Sequence, residues 1–165
     1  MIRVLLDDLA FLQADALLRP ADQDLGPATP AMSQLDKLGG GRFAEQRRVA
    51  RPLEAGAAVV TGGGDLTAPY VVHVVIRDAV SQVGREVVRR ALVSAWQRAG
   101  DWGLASVAAP LVGTGAGGLS AEEAAGLLIE TFPRDRSAGG PSKLQVVVER
   151  EDERTMVEAL LRRSV

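Results

Sequence analysis

Short β-branched runs alternate with helix-period segments along this chain, and that alternation constrains its fold more than any other feature. The runs are Ile2–Leu6 and residues 16–18, 58–61, 71–76, 105–110 and 144–149. Each is too short for a helix and is bounded by turn formers. Val71-Val72-His73-Val74-Val75-Ile76 and Leu144-Gln145-Val146-Val147-Val148 are nearly continuous apolar stretches, the pattern of strands covered on both faces. Between them, residues 83–99 place Val88, Leu92, Ala95, Trp96 and Ala99 on one helical face, with Arg85, Arg89 and Arg98 on or beside the other. Ser120 followed by Glu123 is a capping box that opens a further helix, which Pro133 stops. A last helix over 152–163 packs through Met156, Val157, Leu160 and Leu161, and two weaker segments, 33–38 and 43–49, flank Gly39-Gly40-Gly41. The predicted order is β-β-α-α-β-β-α-β-α-β-α. This is an α/β chain, a three-layer α/β/α sandwich around a mixed sheet of about six strands. A polar loop with paired glycines is expected over 134–142. No repeat or linker divides residues 1–165, which are read as a single domain.

Composition removes several function classes. Cysteine is absent, so disulfides, zinc–thiolate sites and cysteine nucleophiles are excluded. Nineteen basic residues against twenty-one acidic ones leave a net charge of −2, without the basic excess that nucleic-acid phosphates require. No segment approaches the ~20 apolar residues of a membrane span. The N-terminal apolar run is broken at once by Asp7 and Asp8, unlike a signal sequence. A cytoplasmic protein without nucleic-acid or membrane partners is expected.

The segment Pro110-Leu111-Val112-Gly113-Thr114-Gly115-Ala116-Gly117-Gly118-Leu119-Ser120 runs from a strand through a glycine-rich loop into a capped helix. Four glycines among residues 113–118 let the backbone approach a ligand closely and aim successive N–H groups at one point. The helix N-terminus adds a positive partial charge. These are the ingredients of a diphosphate cradle. Gly113, Gly115 and Gly118 match G-x-G-x-x-G, but too late in the chain for a dinucleotide-binding fold, and no Gly-Lys-Ser/Thr follows to make a Walker A loop.

The whole pattern resembles the macro domain family of ADP-ribose-binding modules. Residues 110–118 resemble its phosphate loop, and 71–75 its central strand. Asp7-Asp8-Leu9 with Asp15-Ala16-Leu17-Leu18-Arg19-Pro20-Ala21-Asp22 resemble its opening motifs, and residues 56–63 its next strand. The resemblance implies that Asp8 receives the adenine amino group and that Leu9 contributes a backbone N–H. It implies that Val112, Gly113, Thr114, Gly115, Ala116, Gly117 and Gly118 surround the diphosphate. A carboxylate suits an exocyclic amine through a charge-assisted hydrogen bond. The alternative for Asp8 is to cap the turn after the first strand.

The chain departs from the family at the distal ribose. Arg19 and Asp22 stand where the family has its asparagine pair. The next wall reads Asp24-Leu25-Gly26-Pro27-Ala28-Thr29-Pro30, whose prolines remove donors and stiffen the loop. The family's loop aromatic falls at Gly117. Asp22 lies where the family's hydrolases position a water, so it is the candidate general base, and Arg19 is expected to pair with Asp22 or bind a phosphate. His73, the single histidine, is read as structural. Asp7, Asp8, Asp22 and Asp24 are read as solvated turn acids rather than metal ligands, and no cofactor or metal is expected. Three readings stand. The first is a binding module for ADP-ribose or a related adenine nucleotide diphosphate, with a free nucleotide or an ADP-ribosylated protein as partner. The second is an ADP-ribosyl or acyl-ADP-ribose hydrolase using Asp22. The third is an interaction domain of this fold that has lost its ligand.

Overall fold

A computed structural model describes residues 1–78, 80, 82–115, 117–134 and 139–164. The strands are β1 (Ile2–Leu6), β2 (Ala16–Asp22), β3 (Ala58–Gly62), β4 (Tyr70–Arg77), β5 (Ser106–Ala109) and β6 (Lys143–Val148). The helices are α1 (Pro30–Gln46), α2 (Arg85–Asp101), α3 (Ala121–Thr131) and α4 (Glu151–Arg163), and a short 3-10 helix spans Leu9–Phe11. Part of the expected 134–142 loop, residues 135–138, lies outside the described residues.

The six strands form one sheet in the order β1-β6-β5-β2-β4-β3. Every neighbouring pair is parallel except β3–β4 at the edge. Central β2 and β4 are buried almost throughout, Arg19 and His73 included, whereas edge strand β1 carries a mixture of half-buried and exposed positions. One face carries the larger core, in which Val88, Leu92 and Trp96 of α2, Leu127 and Leu128 of α3 and Val157 of α4 pack against the strands. The Trp96 indole donates to Thr131 Oγ1 at 3.0 Å and meets Phe132 edge-on, locking α2 to the end of α3. The opposite face is covered by α1 and the 3-10 helix, through Met32, Leu35, Phe43, Leu9 and Ala10. The sandwich is therefore lopsided, with three helices on one face and one long helix on the other.

The two weak helical segments both fall mainly in α1 and are separated, as expected, within the glycine triplet. α1 runs through the glycine triplet and kinks at Gly40, whose φ of 72° and ψ of −168° are non-helical. Gly39 and Gly40 serve close approach, to Phe43 and to Asp65. The turn after β3 abuts the helix there, Asp65 N–H donating to the Gly39 carbonyl at 3.0 Å. A Cβ on Gly64 would lie 2.6 Å from the Phe43 nitrogen.

This topology fixes where a ligand can sit. The loop after β5 leads to α3 on one face, and the loop after the adjacent β2 leads to α1 on the other. A crevice opens between such divergent connections, outside the carboxyl ends of the strands.

Candidate functional site

A cleft of about 720 Å³ occupies that position, within the range of small-molecule sites. One end is formed by Leu6, Asp7, Asp8, Leu9 and Ala10 after β1 and by Val147, Val148 and Glu149 at the end of β6. The other is formed by Pro20 near the end of β2 and Thr29 before α1, with Pro110, Leu111, Gly113, Thr114 and Gly115 beyond β5. The N-terminal half of α1 is its side wall, through Ala31, Met32, Gln34, Leu35 and Leu38.

The phosphate-loop candidate is shaped by contacts that only glycine allows. Gly113, Gly115 and Gly117 have φ of 94°, 127° and 75°, in the left-handed region. Leu119 N–H donates to the Gly113 carbonyl at 2.8 Å, and Gly118 N–H to Gly115 at 3.0 Å. A Cβ on Gly118 would lie 2.3 Å from the Gly113 oxygen. The loop therefore closes on itself before feeding α3, where Ser120 Oγ accepts from Glu123 N–H and Glu123 Oε1 accepts from Ser120 N–H, both at 3.1 Å. Those bonds, given to the charged form, hold the exposed Glu123 carboxyl below its ordinary value.

The expected contacts divide. Asp8, Leu9, Gly113, Thr114 and Gly115 line the cleft together. Val112 does not, because it is fully buried in the larger core. Gly117 and Gly118 lie outside the lining and shape the turn, and Ala116 lies outside the described residues. Asp8 has a structural role of its own. Its Oδ1 accepts from Ala10 N–H at 3.0 Å and caps the 3-10 helix, while the residue lines the cleft.

The distal positions behave differently. Asp22 does not line the cleft. Its Oδ1 accepts from Gly26 N–H at 2.8 Å and from Asp24 N–H at 3.2 Å, and its own N–H donates to the Gly26 carbonyl at 3.0 Å. The carboxylate organises a tight turn through residues 22–26. In that turn Leu25 adopts a φ of 60°, rare for a leucine, and is repaid by full burial against Ala21 and Val75.

Arg19 was expected beside Asp22 or a phosphate, and it is beside neither. It is fully buried beneath α1, where Nε donates to Asp36 Oδ1 at 2.8 Å and Nη2 to Asp36 Oδ2 at 2.7 Å. Side chains alternate across a strand, so Arg19 shares the α1-facing side of β2 with Leu17. Its Nη1 lies 3.1 Å from His73 Nδ1. A guanidinium only donates, so Nδ1 accepts, and the ring proton sits on Nε2, which donates to Thr61 Oγ1 at 2.8 Å. Phe43 stacks on the imidazole, with centroids 5.8 Å apart. Burial first, then the Arg19 and Arg47 charges, hold His73 well below its ordinary pKa and keep it neutral. Sequence reasoning read His73 as structural but missed this network. Its one visible signal was a cation inside the otherwise apolar run 16–21.

The cleft is also electrostatically one-sided. Its only charged lining residues, among the described residues, are Asp7, Asp8, Glu149 and Glu153. Among the described residues no cation lines it, so an anionic group there must be met by backbone N–H groups and the N-terminus of α1, whose Thr29, Pro30 and Ala31 line the cleft.

The Macro domain family model matches residues 20–128, and this chain belongs to that family. It is 31% identical over 126 residues to an uncharacterized protein of Aeropyrum pernix, covering 76% of this chain and 67% of that protein. An uncharacterized protein of Mycobacterium tuberculosis is 29% identical over 86% of this chain, which spans only 38% of that relative's length. Among solved structures, the Trypanosoma brucei macrodomain in complex with ADP-ribose is similar with a TM-score of 0.84 at 21% identity, covering 97% of this chain and 68% of that one. A macrodomain of Oceanobacillus iheyensis gives 0.83 at 18% identity, over 98% and 90%. The six-stranded mixed sheet between helical layers is the macrodomain fold.

Proposed function

We propose that this chain is a binding module for ADP-ribose or a related adenine nucleotide diphosphate. The observation that carries the reading is that Asp8, which follows β1, and Gly113, Thr114 and Gly115, which follow β5 two strands away, line one cleft. Asp8 accepts the adenine amino group, Leu9 offers its backbone N–H, and the glycine loop receives the diphosphate. The all-acidic charge of the lining suits this polarity, favouring an amine at one end and leaving phosphate to backbone donors at the other. A solved macrodomain of this fold holds ADP-ribose, which supports the same ligand class here. The partner is a free nucleotide or an ADP-ribosylated protein, in the cytoplasm.

Binding is favoured over hydrolysis because the Asp22 carboxylate is engaged by Gly26 and Asp24 and stands outside the cleft lining. A general base must reach its water within hydrogen-bond distance. The test is isothermal titration of the purified protein with ADP-ribose and with AMP. Micromolar binding of ADP-ribose, well above AMP, supports the reading. No heat at two temperatures sinks it in favour of a domain that has lost its ligand. Release of product on prolonged incubation, lost in Asp22→Ala, would reinstate the hydrolase.

A further inference from the structure

We propose that the cleft ends at Thr29 and Gly115, so that it seats adenosine diphosphate and leaves a distal ribose outside, with Thr29 as the residue that sets this limit. The inference rests on the nucleotide reading above and sharpens its ligand.

At the glycine-loop end the lining residues are Pro20, Thr29, Gly113, Thr114 and Gly115. Past them, Asp22 and Gly26 on one side and Gly117 and Gly118 on the other do not line the cleft. At the boundary the two walls nearly meet. A Cβ placed on Gly115 would sit 3.9 Å from Thr29 Cγ2, in ordinary van der Waals contact. The gap there has the width of one methyl group, too narrow for a sugar ring to continue along the cleft axis. A substituent on the second phosphate must turn outward past Gly115, which is exposed.

The constriction is built in rather than a chance rotamer. Thr29 is the N-cap of α1, and its Oγ1 accepts from Met32 N–H at 3.4 Å, which fixes the side chain and aims Cγ2 across the gap. Pro30 follows at the first helical turn with its φ set by the ring. Upstream, Ala28 N–H donates to the Pro20 carbonyl at 3.4 Å, and Pro27 forms a bridge with Ala21. The 22–26 turn is tied by the Asp22 carboxylate. The wall is fastened on both sides of Thr29.

The experiment compares ADP with ADP-ribose by calorimetry in the wild-type chain and in Thr29→Ser, which keeps the capping oxygen and removes only the methyl group. In the wild type the two ligands bind within about fivefold of each other, because the distal ribose adds few contacts. In Thr29→Ser the preference for ADP-ribose rises above about fivefold. A wild-type preference already above that figure, or a Thr29→Ser ratio equal to the wild type's, overturns the assignment while leaving nucleotide binding intact. No heat from either ligand with either protein overturns the nucleotide reading itself, and this inference with it.

Discussion

Arg19 of β2 and Asp36 of α1 meet fork to fork, at 2.8 and 2.7 Å, in the layer between the sheet and the helix that walls the cleft. Arg19 is completely buried and Asp36 nearly so. Arg47 stands 3.6 Å from the same carboxylate, and both guanidinium groups lie over the Phe43 ring. Two cations and one anion around a neutral imidazole make an arrangement that tolerates no missing member.

Removing one partner leaves an uncompensated buried charge, at a cost of about 3–5 kcal/mol. Asp36→Asn and Arg19→Met should each lower the urea midpoint accordingly. The double variant Arg19→Met/Asp36→Leu should recover only part of the loss, because Arg47 is left without its carboxylate. Equal midpoints in single and double variants would refute this account of the pair.

Acid should weaken the fold through His73. Its folded pKa lies well below the unfolded 6.5, so between the two values the unfolded chain binds the extra proton. Stability is therefore complete above 6.5 and falls as pH drops below it, by about 1 kcal/mol at one unit under. His73→Gln removes this dependence. Thermal melts of the two proteins between pH 7.5 and 5.5 make the comparison, and parallel slopes would count against it.

Gly118→Ala should distort the glycine loop without unfolding the domain. The added methyl meets the Gly113 oxygen at 2.3 Å, and backbone must shift to admit it. A displaced cradle loses one or more charge-assisted bonds, each worth about 1.5–3 kcal/mol, so ADP-ribose affinity should fall at least about tenfold. Calorimetry reads the affinity and circular dichroism checks the fold.

Asp8→Asn keeps an oxygen to cap the 3-10 helix but removes the charge. Affinity for adenine nucleotides should drop about tenfold or more, with the melting temperature little changed. Undiminished binding would move adenine away from Asp8.

The sheet was readable because its strands are unmistakable. Residues 71–76 and 144–149 carry apolar runs bounded by turn formers, and β4 and β6 follow within a residue or two. The capping box at Ser120 placed α3. What sequence could not supply was which long-range partner a side chain would choose. Arg19 is three residues from Asp22 along the chain, yet strand alternation points it to the other side, toward Asp36. Gly39-Gly40-Gly41 reads as a break because glycine propensity is poor in helices, and Gly40 does break the helical path, with the Asp65 carboxylate where its Cβ would lie. At the site, the motifs brought Asp8 and Gly113 to one cleft. The exclusion of Val112, Gly117 and Asp22 depended on the fine path of the loops, which composition does not encode.

The lopsided layering has a consequence for how such a cleft can drift. Its α1 wall rests on the smaller core of Leu35, Met32 and Phe43, while the glycine loop is anchored by Val112 and Leu119 in the larger one. The two jaws stand on separate foundations. Substitutions beneath one jaw can therefore reshape the grip on one half of a ligand without disturbing the packing that holds the other.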